Sequence, residues 1–455
     1  LGAEALYEEH AAAWAELWES GFEVAGRMDV AKSVNASLYY ILSSLREDAP
    51  YSLSPGGLAS NAYNGHSFWD TEMWMLPSLT LWHPRLAASL LEYRVQRLEQ
   101  AHAKAKSYQR GYGGAMFAWE SAATGAEECP ARFSTGQLEQ HITADIAFAQ
   151  EQLWHASRNK SQLLSAYRAL LKDTADFWTS RVEWDAGQAH IRNVTPPDEF
   201  AKGDDSVFTN FAAQRNLRFA AEAAGILGEP PDPRWEATAN AIPILFNKDL
   251  GIHPEYDKYA GAKIKQADVI LLGFPLMMDM PKATRRADLQ YYAPRTDANG
   301  PAMTWGMHAI GRLELGETAD ASADFNRSFA NAHRPFYAWT ETPSGGATNF
   351  ITGAGGFLQA VMYGLPGLRI RPDRLEVSPS LLEGMTSVSF RGLHYRGSVF
   401  RLSYDADHMT FHCQAGPPLS VQPGSGPAEA LPPGSSRRFP RGPAAVRTAG
   451  GDHLA

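Results

Sequence analysis

The chain has 455 residues, of which 44% are hydrophobic, and this length favours one large globular domain with a smaller appendage. Its 41 basic and 50 acidic side chains give a formal net charge of −9, without the basic stripe that a phosphate backbone requires, which argues against nucleic acid as a partner. The cysteines, Cys129 and Cys413, are too few and too far apart for a disulfide framework or a zinc cluster.

The N-terminal segment 1–28 lacks an initiator methionine, a basic region and an apolar signal core, so we interpret it as a connector within a partial chain. The longest apolar run, 269–280, contains Pro275 and Asp279 and is shorter than the roughly 20 residues that span a bilayer. No membrane span is therefore expected. A glycan at the sequon of Asn193 would crowd a predicted cleft, which favours an intracellular protein.

Residues 29–366 show a repeated helical pattern, with apolar residues three and four positions apart and Pro or Gly clusters between segments. The predicted helices are 29–45, 71–80, 84–108, 136–158, 160–182, 208–228, 232–245, 267–274, 282–292, 301–317, 319–334 and 355–363. Helices in hairpin-like pairs predict a mainly α fold, an (α/α)6 barrel whose connecting loops gather functional residues at one rim.

The pattern changes after Gly367, where alternating apolar residues such as Phe400, Leu402 and Tyr404 indicate strands. Residues 367–414 are expected to form a small β-sandwich domain. Residues 415–455 are rich in Pro, Gly, Ser and Ala and lose apolar periodicity, which predicts a disordered tail.

Aromatic and acidic residues stand side by side in two early segments. Trp69 precedes Asp70 at a predicted helix start, where the ring offers a sugar an apolar face and the carboxylate accepts hydrogen bonds from hydroxyls. The alternative is that Asp70 caps the helix while Trp69 fills the core. Trp119 and Glu120 repeat the theme, although acids near a helix start are also common on surfaces.

A third segment presents two acids in a rigid setting. Asp198 and Glu199 follow Pro196 and Pro197 and precede Phe200. An apolar, rigid environment raises the pKa of a carboxyl group, as a general acid requires, and either acid could serve. The alternative is an ordinary turn with a solvated pair of acids.

Two downstream segments add polar candidates. Lys265 and Gln266 border an apolar run, where they could reach sugar hydroxyls, although a lysine at a helix start is usually solvated. Glu341 follows Trp339 and precedes a small-residue loop over 344–356, so it could activate water beside a closely approaching backbone. The loop is also consistent with a tight turn or an anion cradle.

These segments share one chemistry, namely carboxylates beside aromatic rings. The sequence shows no nucleophile triad, no metal-ligand spacing and no dinucleotide fingerprint after a strand. Glycoside cleavage needs a pair of carboxylates and little else, so neither a metal nor a cofactor is expected.

Long strings also carry a resemblance to a known family. They include Gly-His-Ser-Phe-Trp-Asp at 65–70, Phe-Ala-Trp-Glu-Ser-Ala at 117–122, Pro-Asp-Glu at 197–199, Lys-Gln-Ala-Asp-Val at 265–269 and Gly-Gly-Phe-Leu-Gln-Ala-Val at 355–361. Over about residues 5–413 the chain resembles glycoside hydrolase family 65. The resemblance implies an (α/α)6 barrel, a C-terminal β-domain and an N-terminal β-sandwich expected upstream of Leu1.

The resemblance also implies roles for the candidate residues. Glu199 takes the position of the general acid, Glu341 that of the general base in hydrolytic members, and Asp70 that of a sugar-binding aspartate. Further substrate-contacting positions match Trp69, Trp119, Lys265 and Gln266, and Glu120 joins them beside Trp119. The implied mechanism is inverting, with the two carboxyl groups roughly 6.5 to 9.5 Å apart.

The implied substrate is the glucosyl-α-1,2-galactosyl-hydroxylysine unit of collagen, free or in peptides. Other family members are phosphorylases, but Glu341 would repel phosphate, which favours hydrolysis. A non-catalytic carbohydrate- or collagen-binding relative is a further alternative. Asp204 and Asp205 depart from the family pattern, and we expect them to pair with the amino group of hydroxylysine.

Overall fold

The computed structural model describes residues 2–49 and 51–448. Helices dominate up to residue 364 and strands follow. The α-helices of the described residues are α1 Ala3–Leu17, α2 Met28–Leu42, α3 Leu76–Thr80, α4 Pro84–Val95, α5 Leu98–Ser107, α6 Thr135–Leu138, α7 Ile142–Ser157, α8 Lys160–Ala166, α9 Lys172–Arg181, α10 Val207–Ile226, α11 Pro233–Ala241, α12 Lys282–Tyr292, α13 Thr304–Leu315, α14 Thr318–Ser328 and α15 Ile351–Gln359.

The strands lie mostly in the C-terminal part of the chain. They are β1 Gly21–Ala25, β2 Glu183–Asp185, β3 Gln188–His190, β4 Ala332–His333, β5 Ala338–Thr342, β6 Gly345–Thr348, β7 Arg369–Ile370, β8 Leu375–Val377, β9 Ser387–Tyr395, β10 Ser398–Asp405, β11 His408–Ala415, β12 Leu419–Pro423, β13 Glu429–Leu431, β14 Ser436–Pro440 and β15 Ala444–Thr448.

Local signals explain several helix ends. The Ser206 hydroxyl accepts a hydrogen bond from the amide of Thr209 at the start of α10, and Asp232 caps α11 ahead of Pro233. Helix α13 ends at Gly316, whose φ of 77° is left-handed. These helices lie within the segments predicted to be helical.

Glycines in α15 allow close helix packing. A Cβ atom on Gly355 would lie 2.5 Å from the carbonyl oxygen of Trp74, and one on Gly356 would lie 2.4 Å from the Cβ of Met303. The small residues 353–356, which the sequence assigned to a loop overlapping the start of the predicted helix 355–363, lie inside α15 and bring it against the π-helical turn Asp70–Met75, so this helix begins four residues earlier than predicted.

The N-terminal segment is more than a connector. Helix α1 has no buried residue, but β1 pairs antiparallel with β9, with Gly21 opposite Arg391 and Ala25 opposite Ser387. The predicted connector 1–28 therefore supplies an edge strand of the C-terminal sheet. Sequence pattern missed it because the partner strand lies at the other end of the chain.

The predicted disordered tail is wrong over 415–448. Residues of β12 to β15 form ordered strands, and Leu419, Val421, Leu431 and Val446 are fully buried. Few apolar residues suffice here because only alternate positions of these short strands face the core. The rest of the predicted tail, 449–455, lies outside the described residues.

Two five-stranded sheets form the C-terminal part within the described ranges, in the orders β1-β9-β10-β11-β14 and β13-β12-β15-β8-β7. Their buried side chains belong to one continuous core with those of the helices. Trp82 stacks on Phe390 at 6.2 Å between ring centroids, and the amide of His394 donates to the carbonyl of Leu81. The β-sheets are thus anchored on the helical part.

A search of the described helices for one both long and apolar enough to cross a bilayer found no candidate.

Candidate active site

Glu199 lies in a loop that is fixed from both sides. The backbone of Val194 exchanges two hydrogen bonds with that of Gly203, at 2.9 and 3.0 Å, and closes the loop. The Glu199 side chain is 24% exposed, and its Oε1 accepts a hydrogen bond from Lys265 Nζ over 2.7 Å. Burial lowers the pKa of Lys265, but the charge and hydrogen bond of Glu199, together with the charges of Glu139 and Glu341, outweigh this effect and raise the pKa overall. Lys265 therefore stays a cation that orients the carboxyl group of Glu199.

Asp198 ties the Glu199 loop to the Lys265 segment. Its Oδ1 accepts hydrogen bonds from the amides of Lys265, at 2.7 Å, and Phe200, at 3.2 Å, while its own amide donates to Asp268 Oδ2 over 3.1 Å. Of the two acids that the sequence left open, Asp198 is buried and structural. Glu199 is the one that reaches solvent.

Gln266 supports the same loop. Its Nε2 donates to the carbonyl of Pro197 over 2.6 Å, and the residue is 1% exposed. The Nε2 group thus fixes the backbone beside the candidate acid, whereas the buried Oε1 atom has no hydrogen-bond partner among the described residues, and the predicted substrate contact stays a prediction.

Buried carboxyl groups stand behind the loop. Burial raises the pKa of Asp198, Glu255 and Asp268, and their mutual proximity raises that of Glu255 further. The cluster therefore retains protons well above the usual range of a carboxyl group. These carboxyl groups lie under the loop and keep the backbone that carries Glu199 rigid.

Glu341 lies on β5, in a hairpin with β6. Its Oε2 accepts a hydrogen bond from the amide of Ala347 over 3.0 Å, and its Oε1 accepts one from the hydroxyl of Tyr63 over 2.6 Å. Gly346 has a φ of 84°, and a Cβ atom on it would lie 2.8 Å from Glu341 Oε2. Glycine is thus required for the close approach of the hairpin backbone to the carboxylate.

Asp70 begins the π-helical turn and is 8% exposed. Its Oδ2 accepts a hydrogen bond from the hydroxyl of Thr352 in α15, over 2.6 Å. Burial, together with the charges of Glu199 and Glu341, raises the pKa of Asp70 to about 7. The Asp70 side chain caps neither the π-helical turn nor α3, and the charges of both candidate catalytic carboxylates act on it.

The charges of the two candidate catalytic carboxylates act on the same neighbouring side chains. Glu199 and Glu341 each act on Asp70, on Tyr63 and on Lys265. Residues far apart in sequence thus interact as one acidic group, which includes the two carboxylates that an inverting glycosidase would use.

Trp69 does not offer a sugar platform. It is 2% exposed and packs edge-on against Trp74, His141 and Phe208, so the predicted substrate contact is corrected to a core role. The alternative that Trp69 fills the core is the one observed.

Trp119 and Glu120 lie on a loop joined to the Asp70 segment by hydrogen bonds between the backbones of Ser67 and Ser121. Trp119 is half-buried with its ring edge-on to Phe68, and Glu120 Oε1 lies 2.8 Å from His66 Nδ1. The predicted substrate contact of both residues stays a prediction.

Tyr63 and Glu139 are residues that sequence reasoning missed. Glu139 is 1% exposed, lies 3.2 Å from His141 Nε2, and has its pKa raised by burial and by the charge of Glu199. Local pattern gave no signal for Glu139. Tyr63 stood two residues before a recognised string, but its contact with Glu341 spans 278 positions.

The expected amine-binding role of Asp204 and Asp205 is not supported by their contacts. Asp205 is buried, and its carboxylate accepts hydrogen bonds from the amides of Ile191 and Asn210. Asp204 Oδ1 accepts from the amide of Asn193. Both residues shape the loop instead.

A cluster of potential metal ligands lies elsewhere, at the exposed turn between β10 and β11. Ligand atoms of Asp405, Asp407 and His408 lie within 4.8 Å of one another, but Asp405 Oδ1 already accepts hydrogen bonds from the amides of the other two residues. This turn plays no part in the acidic site.

Comparisons with known proteins match two regions of the chain to one family. The glycosyl hydrolase family 65 central catalytic domain matches residues 35–263, and the family 65 C-terminal domain matches residues 368–423. A solved structure assigned as a kojibiose phosphorylase from the human microbiome has a TM-score of 0.84 at 18% identity, covering 97% of this chain and 66% of that one. This likeness shows the shared fold.

Two curated relatives are nearer in sequence. The protein-glucosylgalactosylhydroxylysine glucosidase of Dictyostelium discoideum is 47% identical over 420 residues, which are 90% of this chain and 59% of that protein. The protein of the same name from Danio rerio is 40% identical over 462 residues, which are 96% of this chain and 70% of that protein. The chain thus spans roughly two thirds of its relatives' length, and it belongs to glycosyl hydrolase family 65.

Proposed function

We propose that this chain is an inverting glycoside hydrolase that removes α-1,2-linked glucose from glucosyl-galactosyl-hydroxylysine units of collagen. Two carboxylates held in fixed positions carry the proposal: Lys265 holds Glu199, and the Tyr63 hydroxyl and the Ala347 amide hold Glu341, which gives the pair of oriented carboxyl groups that glycoside cleavage requires. The names of the two glucosidase relatives support the substrate.

In the proposed mechanism Glu199 is protonated on the carboxyl oxygen that does not accept from Lys265, and it gives this proton to the glycosidic oxygen while Glu341 takes a proton from a water molecule on the opposite face of the sugar. The water oxygen bonds to the anomeric carbon as the bond to galactose breaks, so glucose leaves as the β-anomer. The mechanism requires the carboxyl groups to be roughly 6.5 to 9.5 Å apart. Asp70 accepts hydrogen bonds from glucose hydroxyls, and Lys265 holds Glu199.

In this proposal the helical part of the chain, residues 29–366, folds as an (α/α)6 barrel. The fold shared with the kojibiose phosphorylase supports this arrangement, with the catalytic loops at one rim. An intracellular location stays a prediction from the sequence.

Phosphorolysis is the alternative that the shared fold raises, since phosphate would then replace water. Glu341 argues against it. Its carboxylate is held by Tyr63 and Ala347 at the place where the nucleophile must bind, and a fixed negative charge there repels phosphate. A protein that binds carbohydrate without turnover is the second alternative.

The test is to incubate the chain with glucosyl-galactosyl-hydroxylysine, with and without inorganic phosphate, and to follow the products. We expect free glucose at the same rate in both samples. Glucose 1-phosphate formed at the expense of glucose would establish phosphorolysis, and binding without any product would establish a non-catalytic protein. Glu199→Gln serves as the inactive control, because it cannot donate the proton.

A further inference from the structure

Tyr63 lies beside the base of the proposed hydrolase. Its hydroxyl donates to Glu341 Oε1 over 2.6 Å, and the Ala347 amide donates to the other oxygen over 3.0 Å. Tyr63 as a whole is 39% exposed, but partial burial of its hydroxyl, followed by the charge of Glu341, raises its pKa well above the usual range. The hydroxyl therefore keeps its proton and stays a donor.

These two donors define the orientation of the carboxylate. A carboxylate has about four acceptor sites, so two hydrogen bonds leave room to accept the proton of an attacking water. With one donor on each oxygen, the carboxylate plane is fixed. Glu341 is only half-buried, so little else holds its side chain in place.

The backbone around Tyr63 is unusual. Tyr63 has φ 54° and ψ 29°, and Asn64 and Gly65 are also left-handed, with φ values of 57° and 73°. Such a conformation is unfavourable for an aromatic residue and persists only where the surroundings impose it. Here it directs the Tyr63 hydroxyl at the base.

Contacts on both sides hold the Tyr63 segment. The Tyr63 ring packs edge-on against Phe68 at 5.3 Å between centroids, and the Ser60 hydroxyl donates to the carbonyl of Thr348 over 2.8 Å. Thr348 belongs to β6, the partner strand of the one that carries Glu341. The tyrosine and the base are therefore fixed to the same hairpin.

We propose that Tyr63 is a positioning residue for Glu341, whose hydroxyl aligns the carboxylate to accept a proton from the attacking water. The inference rests on the proposed hydrolase function.

A double-mutant cycle tests it. In the otherwise native chain, Tyr63→Phe should lower kcat by about 10- to 100-fold with KM within about twofold, because only the chemical step needs the aligned base. In a Glu341→Gln background, the same substitution should lower the residual kcat by less than about twofold, since the group through which it acts is gone. Tyr7→Phe on the exposed helix α1 is the matched control and should leave both constants unchanged. Thermal unfolding of each variant checks the fold.

The outcomes distinguish a failure of the Tyr63 inference from a failure of the proposed hydrolase function. Equal losses of kcat in both backgrounds would assign Tyr63 a merely structural role, and a raised KM with unchanged kcat would make it a substrate contact. Either result overturns the inference while leaving the hydrolase in place. A native chain without turnover would overturn the proposed function, and the inference with it.

Discussion

Asp70 and Glu199 lie in one site, yet their partners differ. Glu199 is paired with Lys265, whereas Asp70 accepts a hydrogen bond from the neutral hydroxyl of Thr352. Burial without a paired cation is what raises the pKa of Asp70 to about 7. The ionisation of Asp70 should therefore affect both sugar binding and stability.

The unfolding free energy of Asp70→Asn should depend on pH differently from that of the native chain. Because the folded-state pKa of Asp70 exceeds its unfolded value, the folded protein holds an extra proton between about pH 4 and 7, and its stability falls as pH rises across this window. The neutral amide removes this loss. The free energy of unfolding of the variant should therefore rise, relative to that of the native chain, by on the order of 2–4 kcal/mol between pH 4 and 7.

Denaturant unfolding at several pH values measures this difference. Asp185→Asn, at an exposed position, is the matched control and should follow the native curve. A constant difference between Asp70→Asn and the native chain from pH 4 to 7 would contradict the assigned pKa.

The sequence predicted some of these residues and missed others for a physical reason. Glu199 stands in a string that carries the family resemblance, and the resemblance implies the role of Glu341, so both were predicted without the fold. Tyr63 acts through a hydrogen bond across 278 positions, which no local pattern reports. Trp69 was predicted to contact the substrate because it adjoins an acid in the sequence, but such adjacency does not indicate whether a side chain is exposed. Its ring lies in the core.

At the scale of elements, the hairpin of β5 and β6 determines where the base lies. Gly346→Ala places a methyl group 2.8 Å from Glu341 Oε2 at a φ of 84°, so the carboxylate or the hairpin must shift. We expect kcat to fall by at least about 10-fold, with a loss of stability of about 1–3 kcal/mol.

Gly345→Ala provides a matched control for this substitution. Gly345 also has a positive φ, of 132°, but a Cβ atom there meets nothing within 4 Å. The Gly345→Ala variant should lose stability, while its kcat stays close to the native value. Equal effects of the two substitutions on kcat would show that the approach to Glu341 does not matter.

Helices were easier to predict than strands. The cap Ser206 and the pair Asp232 and Pro233 mark the starts of α10 and α11 in the sequence itself. Strand β1 pairs with β9, and β14 and β15 pair with β11 and β8, so these short segments depend on partners elsewhere in the chain and were predicted as a connector and a tail. The glycines of α15 resembled a loop because their packing partners are also distant.

At the scale of the whole molecule, the helical part supplies the site and the C-terminal sheets brace it. Strand β1 links the start of the chain to β9, and Ser20 donates to the carbonyls of Trp82 and Gly392, over 3.1 and 2.9 Å. The family resemblance predicted this division between helices and strands. The order of the sheets could not be predicted, because strand pairing is set by the folded chain.

The configuration of the glucose first released tests the central claim most directly. The full chain is mixed with glucosyl-galactosyl-hydroxylysine, and the anomeric proton of the product is followed by NMR before mutarotation equilibrates the anomers. Attack by water activated at Glu341, opposite to Glu199, predicts β-glucose as the initial product. Initial release of α-glucose would show retention and contradict the assignment of Glu199 and Glu341 as an inverting pair.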